Sequence, residues 1–387
     1  MEENSHHHGQ VIKRYREKMG WTRPQLGEKW TPNEVSWKYI AKIESGEKHI
    51  TDSSKLREIS ELLDIPLWEF GLSEYNPFNI TDPSQSTHLY SENLEVVTYL
   101  VEQTWYLRKV APMPEVEKSV KRLQDMFKFY QTHAPPPLKL EREYLRLFAQ
   151  VHRLAAIIDV ENQRYPLAIR HFENMLKIGQ GIEDPTTIAL AFMGLGTEYE
   201  RMGKQQEAVD YLELARDQTF QTERSVACLV NSYLARAYAS NHESQRFLRA
   251  IDTAQAIADS LGERFGSAKD FAYYTMSGVL AERSYGYLEL GEAQKSLEMR
   301  GEITKSIHIN ENTWLHAWIP LDWARAYFMT GEIEESILET REFYLRAKLL
   351  QSPHTFSRAE AMLKAIEQAG YEDVSAVKDF SDEMEDE

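Results

Sequence analysis

Beyond about residue 140 the chain repeats one pattern of small and large residues with a period near 40. In the clearest unit, residues 192–215, an aromatic-x-x-Leu-Gly-x-x-Tyr stretch is followed by a glycine turn and an Ala-x-x-x-Leu-x-x-Ala stretch. Small side chains at Gly196 and Ala208 allow two antiparallel helices to approach closely, and the larger ones fill the space up to the next pair. The pattern therefore predicts a stack of paired helices, in which each pair packs on its neighbours.

Weaker copies of this unit extend the array along the rest of the chain. They occupy residues 155–172, 234–254, 287–296 and 323–336, and a final helix pair at about 355–382 is expected to cap the stack. The spacing and the residue types resemble the tetratricopeptide family, and five related units suffice for a stable solenoid. This resemblance implies a right-handed α-solenoid in which the first helix of each pair lines a concave surface.

The resemblance also implies a ligand surface, because tetratricopeptide arrays mainly bind peptides or proteins. The positions that it places on the concave face are Gln150, Arg153, Thr197, Arg201, Asn231, Ser232, Arg236, Tyr285, Trp318 and Arg325. The four arginines suit the carboxylate of a peptide's C-terminus or acidic side chain, since a guanidinium donates two parallel hydrogen bonds. The alternative is that each arginine pairs with an acidic residue of the next repeat, and that Asn231 only packs between helices.

Residues 9–72 predict a compact domain of five short helices. Gly20 ends the first helix, Thr22 caps the second, and Pro66 opens the last. Apolar residues recur at helix-face spacing between these signals. The predicted core consists of Val11, Ile12, Leu26, Val35, Ile40, Ile43, Leu56, Ile59, Leu62 and Leu63.

The same stretch resembles the phage-repressor-like (Xre-type) helix-turn-helix family over about 64 residues. The matching residues run Lys13-x-x-Arg16-Glu17-x-x-Gly20, Thr22-x-x-Gln25-Leu26, Val35-Ser36-x-x-x-Ile40-Ala41-Lys42-Ile43-Glu44-x-Gly46 and Leu56-x-x-Ile59-x-x-Leu62-Leu63-x-Ile65-Pro66. Two features depart from the family: the turn at residues 30–34 is enlarged, and Gly27 stands where an alanine is common. The resemblance implies that the third helix enters the major groove of double-stranded DNA.

Position in this motif assigns two groups of DNA contacts. Ser36, Trp37, Lys38 and Lys42 are the expected base or groove contacts, and Thr22, Arg23, Lys48 and His49 the expected phosphate contacts. Lys38 is able to donate to guanine, whereas Trp37 offers apolar contact, for example to a thymine methyl group. The alternatives are that Trp37 packs in the core and that the two lysines are merely solvated.

The net charge of −17 is distributed in a way that leaves DNA binding open. Residues 1–72 hold 11 Lys and Arg against 12 Asp and Glu, whereas the other 315 residues hold 33 against 49. The acidic part would repel nucleic acid. The nearly neutral N-terminal part is still able to place its cations on one face.

Several classes of protein are disfavoured by the residues that are missing. The sequence contains no apolar run long enough for a membrane span and no secretory signal, and its one cysteine, Cys228, fits a reducing cytoplasm. It contains no phosphate-binding glycine loop, His-Glu-x-x-His motif, paired-cysteine motif or nucleophile elbow. We therefore expect neither an enzyme nor a cofactor or metal site.

The predicted order is a helix-turn-helix domain at 1–72, a linker with connecting helices at 73–139, and the repeat domain at 140–387. The connecting helices are either a linker pair or a degenerate leading repeat. This order resembles the peptide-pheromone-sensing regulators grouped as RRNPP, which implies a cytoplasmic homodimer whose array binds a short peptide. Many such sensors carry asparagines where this chain has Leu154, Gly194, Tyr233, Glu282 and Asp322. The alternative function is a protein-interaction scaffold whose N-terminal module serves assembly.

Overall fold

The computed structural model describes residues 8–30, 35–70, 72, 83–262, 271–272, 274–307 and 313–385. Over these ranges the fold is all-α, and the chain forms two compact units, Met1–Ser86 and Thr87–Glu387. The predicted fold class, a helix-turn-helix domain followed by tetratricopeptide-type helix pairs, is confirmed. No helix in the described ranges is both long enough and apolar enough to cross a membrane.

The described residues up to Phe70 form four α-helices and one 3-10 turn. They are α1 (His8–Lys18), α2 (Arg23–Lys29), α3 (Trp37–Glu44), α4 (Ser53–Leu63) and the turn Leu67–Phe70. The predicted core is confirmed: its members are buried, apart from Val35 and Leu62, which are partly buried against it. Trp30, Ile50, Ile65 and Phe70 complete this core.

Gly27 on α2 is explained by the path of the chain into α3. The backbone N–H of Val35 donates to the carbonyl of Gly27 at 3.1 Å. A Cβ atom at Gly27 would lie 2.1 Å from the carbonyl oxygen of Val35, which is far inside a van der Waals contact. Glycine is therefore required here for the close approach of two backbone segments. The enlarged turn itself lies mostly outside the described residues.

The second unit is built from paired helices. They are α5 (Pro83–Val110), α6 (Met113–His133), α7 (Leu138–Glu161), α8 (Tyr165–Gly181), α9 (Pro185–Arg201), α10 (Gln205–Gln218), α11 (Arg224–Ser240), α12 (Ser244–Leu261), α13 (Met276–Glu289), α14 (Ala293–Glu298), α15 (Arg300–Ile307), α16 (Thr313–Thr330), α17 (Ile333–Leu350), α18 (Pro353–Ile366) and α19 (Ser375–Glu385). The five predicted repeats correspond to the pairs that begin with α7, α9, α11, α13 and α16. The second helix of the fourth pair is broken into α14 and α15.

Glycines on the first helices allow neighbouring helices to approach closely, as the sequence predicts for Gly196. A Cβ atom there would lie 2.7 Å from Cγ of Leu212 on α10. A Cβ atom at Gly194 would lie 2.2 Å from the ring of Phe172 on α8, and one at Gly286 would lie 2.2 Å from the ring of Phe247 on α12. These approaches bring neighbouring helices into register and fix the inner face of the array.

The two ends of the array contact each other. Gln163, between α7 and α8, donates from Nε2 to the carbonyl of Pro353 at 2.9 Å, across a separation of 190 residues. Ser352, which caps α18, donates from Oγ to Oε2 of Glu161 at 2.7 Å. Trp314 on α16 donates from Nε1 to the carbonyl of Ala111 at 3.2 Å. The concave side is consequently closed into a cavity.

Candidate functional site

The cavity of the second unit has a volume of about 740 Å³. Its wall is formed by the inner faces of α5, α7, α9, α11, α13, α16 and α18, so each first helix of a pair contributes. Aromatic side chains and charged side chains alternate around it. Cavities of this size and enclosure accommodate small molecules or short peptides.

Six of the ten residues predicted for the concave face line this cavity. They are Arg153, Arg201, Arg236, Tyr285, Trp318 and Arg325. The other four are not part of the lining, because their side chains are buried or bond within their own helices.

The polar groups of those four residues lie as follows. Thr197 donates to the carbonyl of Gly194, Asn231 to Ala227 and Ser232 to Cys228. Gln150 is only 4% exposed, and its Oε1 has no hydrogen-bond partner among the described residues. These contacts favour a packing role for Thr197, Asn231 and Ser232, and burial favours the same role for Gln150. For Asn231 this is the alternative given in the sequence analysis.

Two cavity arginines form ion pairs between successive repeats. Arg236 on α11 donates from Nε to Oε1 of Glu200 on α9 at 2.9 Å. Arg325 on α16 donates from Nη2 to Oε1 of Glu289 on α13 at 2.7 Å. Both guanidinium groups also lie over the ring of Tyr285, at 4.2 and 5.2 Å from its centroid. The pairing alternative thus holds for these two arginines, and both still face the cavity.

Arginines at the α5 end of the cavity stack on tryptophans. Arg153 lies 4.6 Å from the ring centroid of Trp105 and donates from Nη1 to the carbonyl of Phe271 at 3.0 Å. Arg108 lies 3.8 Å from the ring centroid of Trp314, and its Nη2 donates to Oε1 of Glu161 at 3.0 Å. Cation–π contacts in a partly desolvated wall hold these planar groups in fixed orientations.

His354 on α18 is neutral and accepts a hydrogen bond from an arginine. Burial, and then the positive charge of Arg201, lowers the pKa of His354 to about 3. Its Nε2 lies 3.2 Å from Nη1 of Arg201, which can only donate. The ring proton is therefore on Nδ1, which donates to the hydroxyl oxygen of Tyr165 at 3.3 Å. This histidine contributes no positive charge to the cavity at neutral pH.

Two acidic side chains of the wall are unusually easy to protonate. Burial raises the pKa of Glu282 to about 7, even though Arg236 acts in the opposite direction. Burial likewise raises the pKa of Asp322 to about 6. Oε2 of Glu282 has no hydrogen-bond partner in the described part of the chain and lies 3.9 Å from Nη1 of Arg236. At both positions, many of the RRNPP peptide-sensing regulators named in the sequence analysis carry asparagine.

Sequence reasoning missed several residues of the wall. Arg358 and His354 lie on α18, which lacks the repeat pattern and was expected only to cap the array. Trp105, Arg108 and Lys109 lie on α5, which was expected to be a connector or a degenerate repeat. The departures from asparagine at Glu282 and Asp322 were visible in the sequence, but the locations of α5 and α18 beside the cavity were not.

In the first unit, the N-terminal end of α3 is exposed while the middle of the helix is anchored. Trp37 is 52% exposed, and Lys38 beside it is exposed with its Nζ 5.8 Å from the Trp37 ring centroid. Ile40 and Ile43 are fully buried in the core. Ser36 caps α3, its Oγ accepting from the backbone N–H of Tyr39 at 3.3 Å. Trp37 is thus available to a partner rather than packed in the core.

The other predicted DNA-contact residues surround this helix. Thr22 caps α2 in a reciprocal arrangement with Gln25. Lys42 pairs with Glu47 at 3.1 Å, both side chains being exposed, and Lys48 lies 4.4 Å from the ring centroid of Tyr39. His49 is exposed.

Arg23 is tied to a buried carboxylate. Its Nε donates to Oε2 of Glu44 at 2.8 Å, and Arg16 donates to the same carboxylate from two nitrogens. Burial alone would raise the pKa of Glu44, but these hydrogen bonds lower it. Arg23 therefore holds α2 against the end of α3, and its side chain remains 41% exposed for a further contact.

Comparison with known proteins gives a distant likeness to solved structures. No protein-family model and no curated protein sequence matches the chain. PlcR of Bacillus thuringiensis, in complex with the peptide PapR7 and DNA, is 16% identical; the match covers 86% of this chain and 98% of that chain, with a TM-score of 0.33. The apo form of the competence regulator ComR from Streptococcus vestibularis is 18% identical; the match covers 82% and 97%, with a TM-score of 0.37.

A third solved structure matches a smaller share of the chain. The nearly identical TPR-like repeats of a Podosopora anserina kinesin light chain are 19% identical; the match covers 54% of this chain and 98% of that chain, with a TM-score of 0.37. TM-scores at this level do not transfer a ligand or an activity from these proteins to this chain.

Proposed function

We propose that the protein is a sequence-specific DNA-binding transcriptional regulator whose second unit binds a short peptide or protein ligand and mediates homodimerisation. One observation supports this proposal above the others. The N-terminal end of α3 presents an exposed tryptophan and an exposed lysine on a helix that Ile40 and Ile43 anchor in the core.

This arrangement suits the major groove. The groove admits one α-helix, and side chains at the N-terminal end of that helix reach the base edges. The Trp37 side chain is 52% exposed, and its apolar ring suits contact with thymine methyl groups. Lys38, Lys42 and Lys48 are cations of the same small unit that are available to guanine or phosphate.

The cavity of the second unit supports the ligand part of the proposal. It is lined by every first helix of the array and rich in guanidinium groups that suit carboxylates. Because the helices pack in series, a ligand that contacts several of them would change their relative positions. Such a ligand alters DNA binding only through a difference in its affinity for two arrangements of the protein.

Fluorescence anisotropy with DNA from upstream of the protein's own gene tests the DNA-binding part. We expect binding that survives competitor DNA, weakens with salt, and is lost when Lys38→Ala and Lys42→Ala are combined. Lys364→Ala, on the exposed side of α18, removes a cation elsewhere and serves as the control. Equal binding of the wild type and the double variant to all DNA would contradict the proposal.

A second candidate function is favoured by one contact. Glu47 pairs with Lys42 and places negative charge beside α3, which suits a protein-interaction scaffold better than a DNA-binding face. The pair is exposed, so it contributes at most about 1 kcal/mol and DNA phosphates would compete with it. If the protein is a scaffold, the Glu47→Gln variant should still not bind DNA. If it is a regulator, this variant should bind DNA more tightly than the wild type.

A further inference from the structure

The charges on the cavity wall are unbalanced. Among its described lining residues are seven cationic side chains and five acidic ones, within a part of the chain that is strongly acidic overall. Protonation of Glu282 and Asp322 increases this excess towards lower pH, because burial raises the pKa of both groups. An acidic array with a cationic interior is built to attract an anion.

Most arginines of the wall already have a carboxylate. Arg108 pairs with Glu161 at 3.0 Å and Arg201 with Glu198 at 3.3 Å. Arg236 and Arg325 pair with Glu200 and Glu289, as described above. Ligand binding at these four groups would compete with an existing ion pair.

Arg358 on α18 differs from them. Its side chain has no hydrogen bond or ion pair with any residue in the described ranges, and it lines the cavity in an exposed position. Desolvation lowers the pKa of Arg358, and the positive charges of Arg325, Arg236 and Arg201 lower it further, whereas Tyr285 acts in the opposite direction. His354, one turn earlier on α18, is neutral and offers no counter-charge.

The interaction of Arg358 with the Asp322 carboxylate of the wall is weak. Asp322 interacts more strongly with Arg325 and Arg236 than with Arg358, and burial raises its pKa to about 6. Arg358 is therefore held among like charges without a carboxylate of its own. Such a position raises the free energy of the empty protein, and an anionic ligand would lower it.

We propose that Arg358, supported by Arg201 and Arg325, is the subsite that binds a carboxylate of a peptide ligand in this cavity. The carboxylate comes from the peptide's C-terminus or from an acidic side chain. The inference rests on the proposed ligand-binding function of the second unit and is independent of DNA binding. The guanidinium fork of Arg358 forms two parallel hydrogen bonds with this group, and the aromatic wall contacts the apolar remainder.

The first test uses the full-length protein and two small probes. Thermal unfolding is measured with N-acetylphenylalanine and with its neutral amide at constant ionic strength. We expect the carboxylate, and not the amide, to raise the Tm of the wild type and of Lys364→Gln, a cation loss on the same helix outside the cavity. Arg358→Gln should lose this response, and Arg358→Lys should retain part of it, because it keeps the charge but not the fork.

The ligand-free proteins give an independent readout. Arg358→Gln should raise the Tm without any probe, because it relieves repulsion from Arg201, Arg236 and Arg325. An arginine with a merely structural role would lower the Tm when replaced. A fall in Tm, an equal response of Arg358→Gln to the carboxylate, or no response of the wild type would overturn the proposed subsite.

The second test identifies the source of the carboxylate. Three pools of random heptapeptides are compared by retention on the protein during gel filtration: acid-free with a free C-terminus, acid-free and amidated, and amidated with one glutamate. Retention from the first pool assigns the terminal carboxylate, and retention from the third assigns the side chain. The affinity of a retained peptide should fall at least about tenfold in Arg358→Gln and stay unchanged in Lys364→Gln.

The outcomes separate this inference from the proposed function. Equal retention of the amidated acid-free pool overturns the subsite while leaving peptide binding in place. If the small carboxylate binds through Arg358 and no peptide pool is retained, the cavity binds a carboxylate but the peptide part of the proposed function is wrong.

Discussion

Glu282 lies where burial and charge act on one carboxyl group in opposite directions. Burial raises its pKa from 4.5 to about 7, and the nearby Arg236 only partly offsets this. Between these two values the folded protein binds a proton that the unfolded chain releases. Stability contributed by this group is therefore complete below about pH 4.5 and is lost as the pH rises towards 7.

Replacing this carboxyl group by an amide should make the protein more stable at higher pH. At about pH 8 we expect Glu282→Gln to raise the free energy of unfolding by on the order of 1–3 kcal/mol, because Gln resembles the neutral acid. The gain should shrink towards zero near pH 4.5. Denaturant unfolding at several pH values measures it, and Glu360→Gln, an exposed acid on α18, should show no such dependence. A constant or inverted difference would contradict the assignment.

A substitution at Trp37 should change the affinity for DNA much more than the stability of the fold. Because its side chain is half exposed, Trp37→Ala should change the free energy of unfolding by no more than about 0.5 kcal/mol. Affinity for a selected DNA fragment should fall about tenfold or more, since apolar base contact is removed. Met19→Ala removes a comparably exposed apolar side chain just after α1 and should leave affinity unchanged. A large stability loss in Trp37→Ala would instead indicate a packing role.

Among the helices, the sequence predicted those whose bounds and pairing depend on local signals. The start of α2 followed from Thr22, which caps it. The pairs from α7 to α17 followed from periodic small residues. The role of α18 was missed because it lacks that periodicity, and its Arg358 reaches the cavity only because the array's ends meet. A contact between residues 163 and 353 leaves no mark in a local pattern.

The junction of α2 and α3 provides a test of element packing. Gly27→Ala would introduce the residue that resembled domains often carry, but its Cβ would meet the carbonyl of Val35. We expect a loss of about 1–3 kcal/mol in stability, because a backbone segment must shift. Gly301→Ala on α15 meets nothing within 4 Å and should be neutral or slightly stabilising. Hydrogen exchange of residues 23–44 in the full-length protein localises the effect; unchanged exchange would contradict it.

At the scale of the whole molecule, charge is divided between the two units. The first 72 residues are almost neutral, which permits contact with DNA phosphates, and the rest of the chain carries nearly all of the net negative charge. Within that acidic part, the first helices turn arginines towards one cavity. The sequence placed four of these arginines on the concave surface, but it did not predict the contacts between the ends of the array that make this surface into a cavity.

Selection of binding sites from a randomised pool of DNA duplexes tests the central claim most directly. The full-length wild type and the variant that combines Trp37→Ala with Lys38→Ala are compared at physiological salt. We expect the wild type to enrich two symmetry-related half-sites, about one helical turn or a multiple of it apart, and the variant to enrich none. Equal enrichment by both proteins, or none by the wild type, would contradict it.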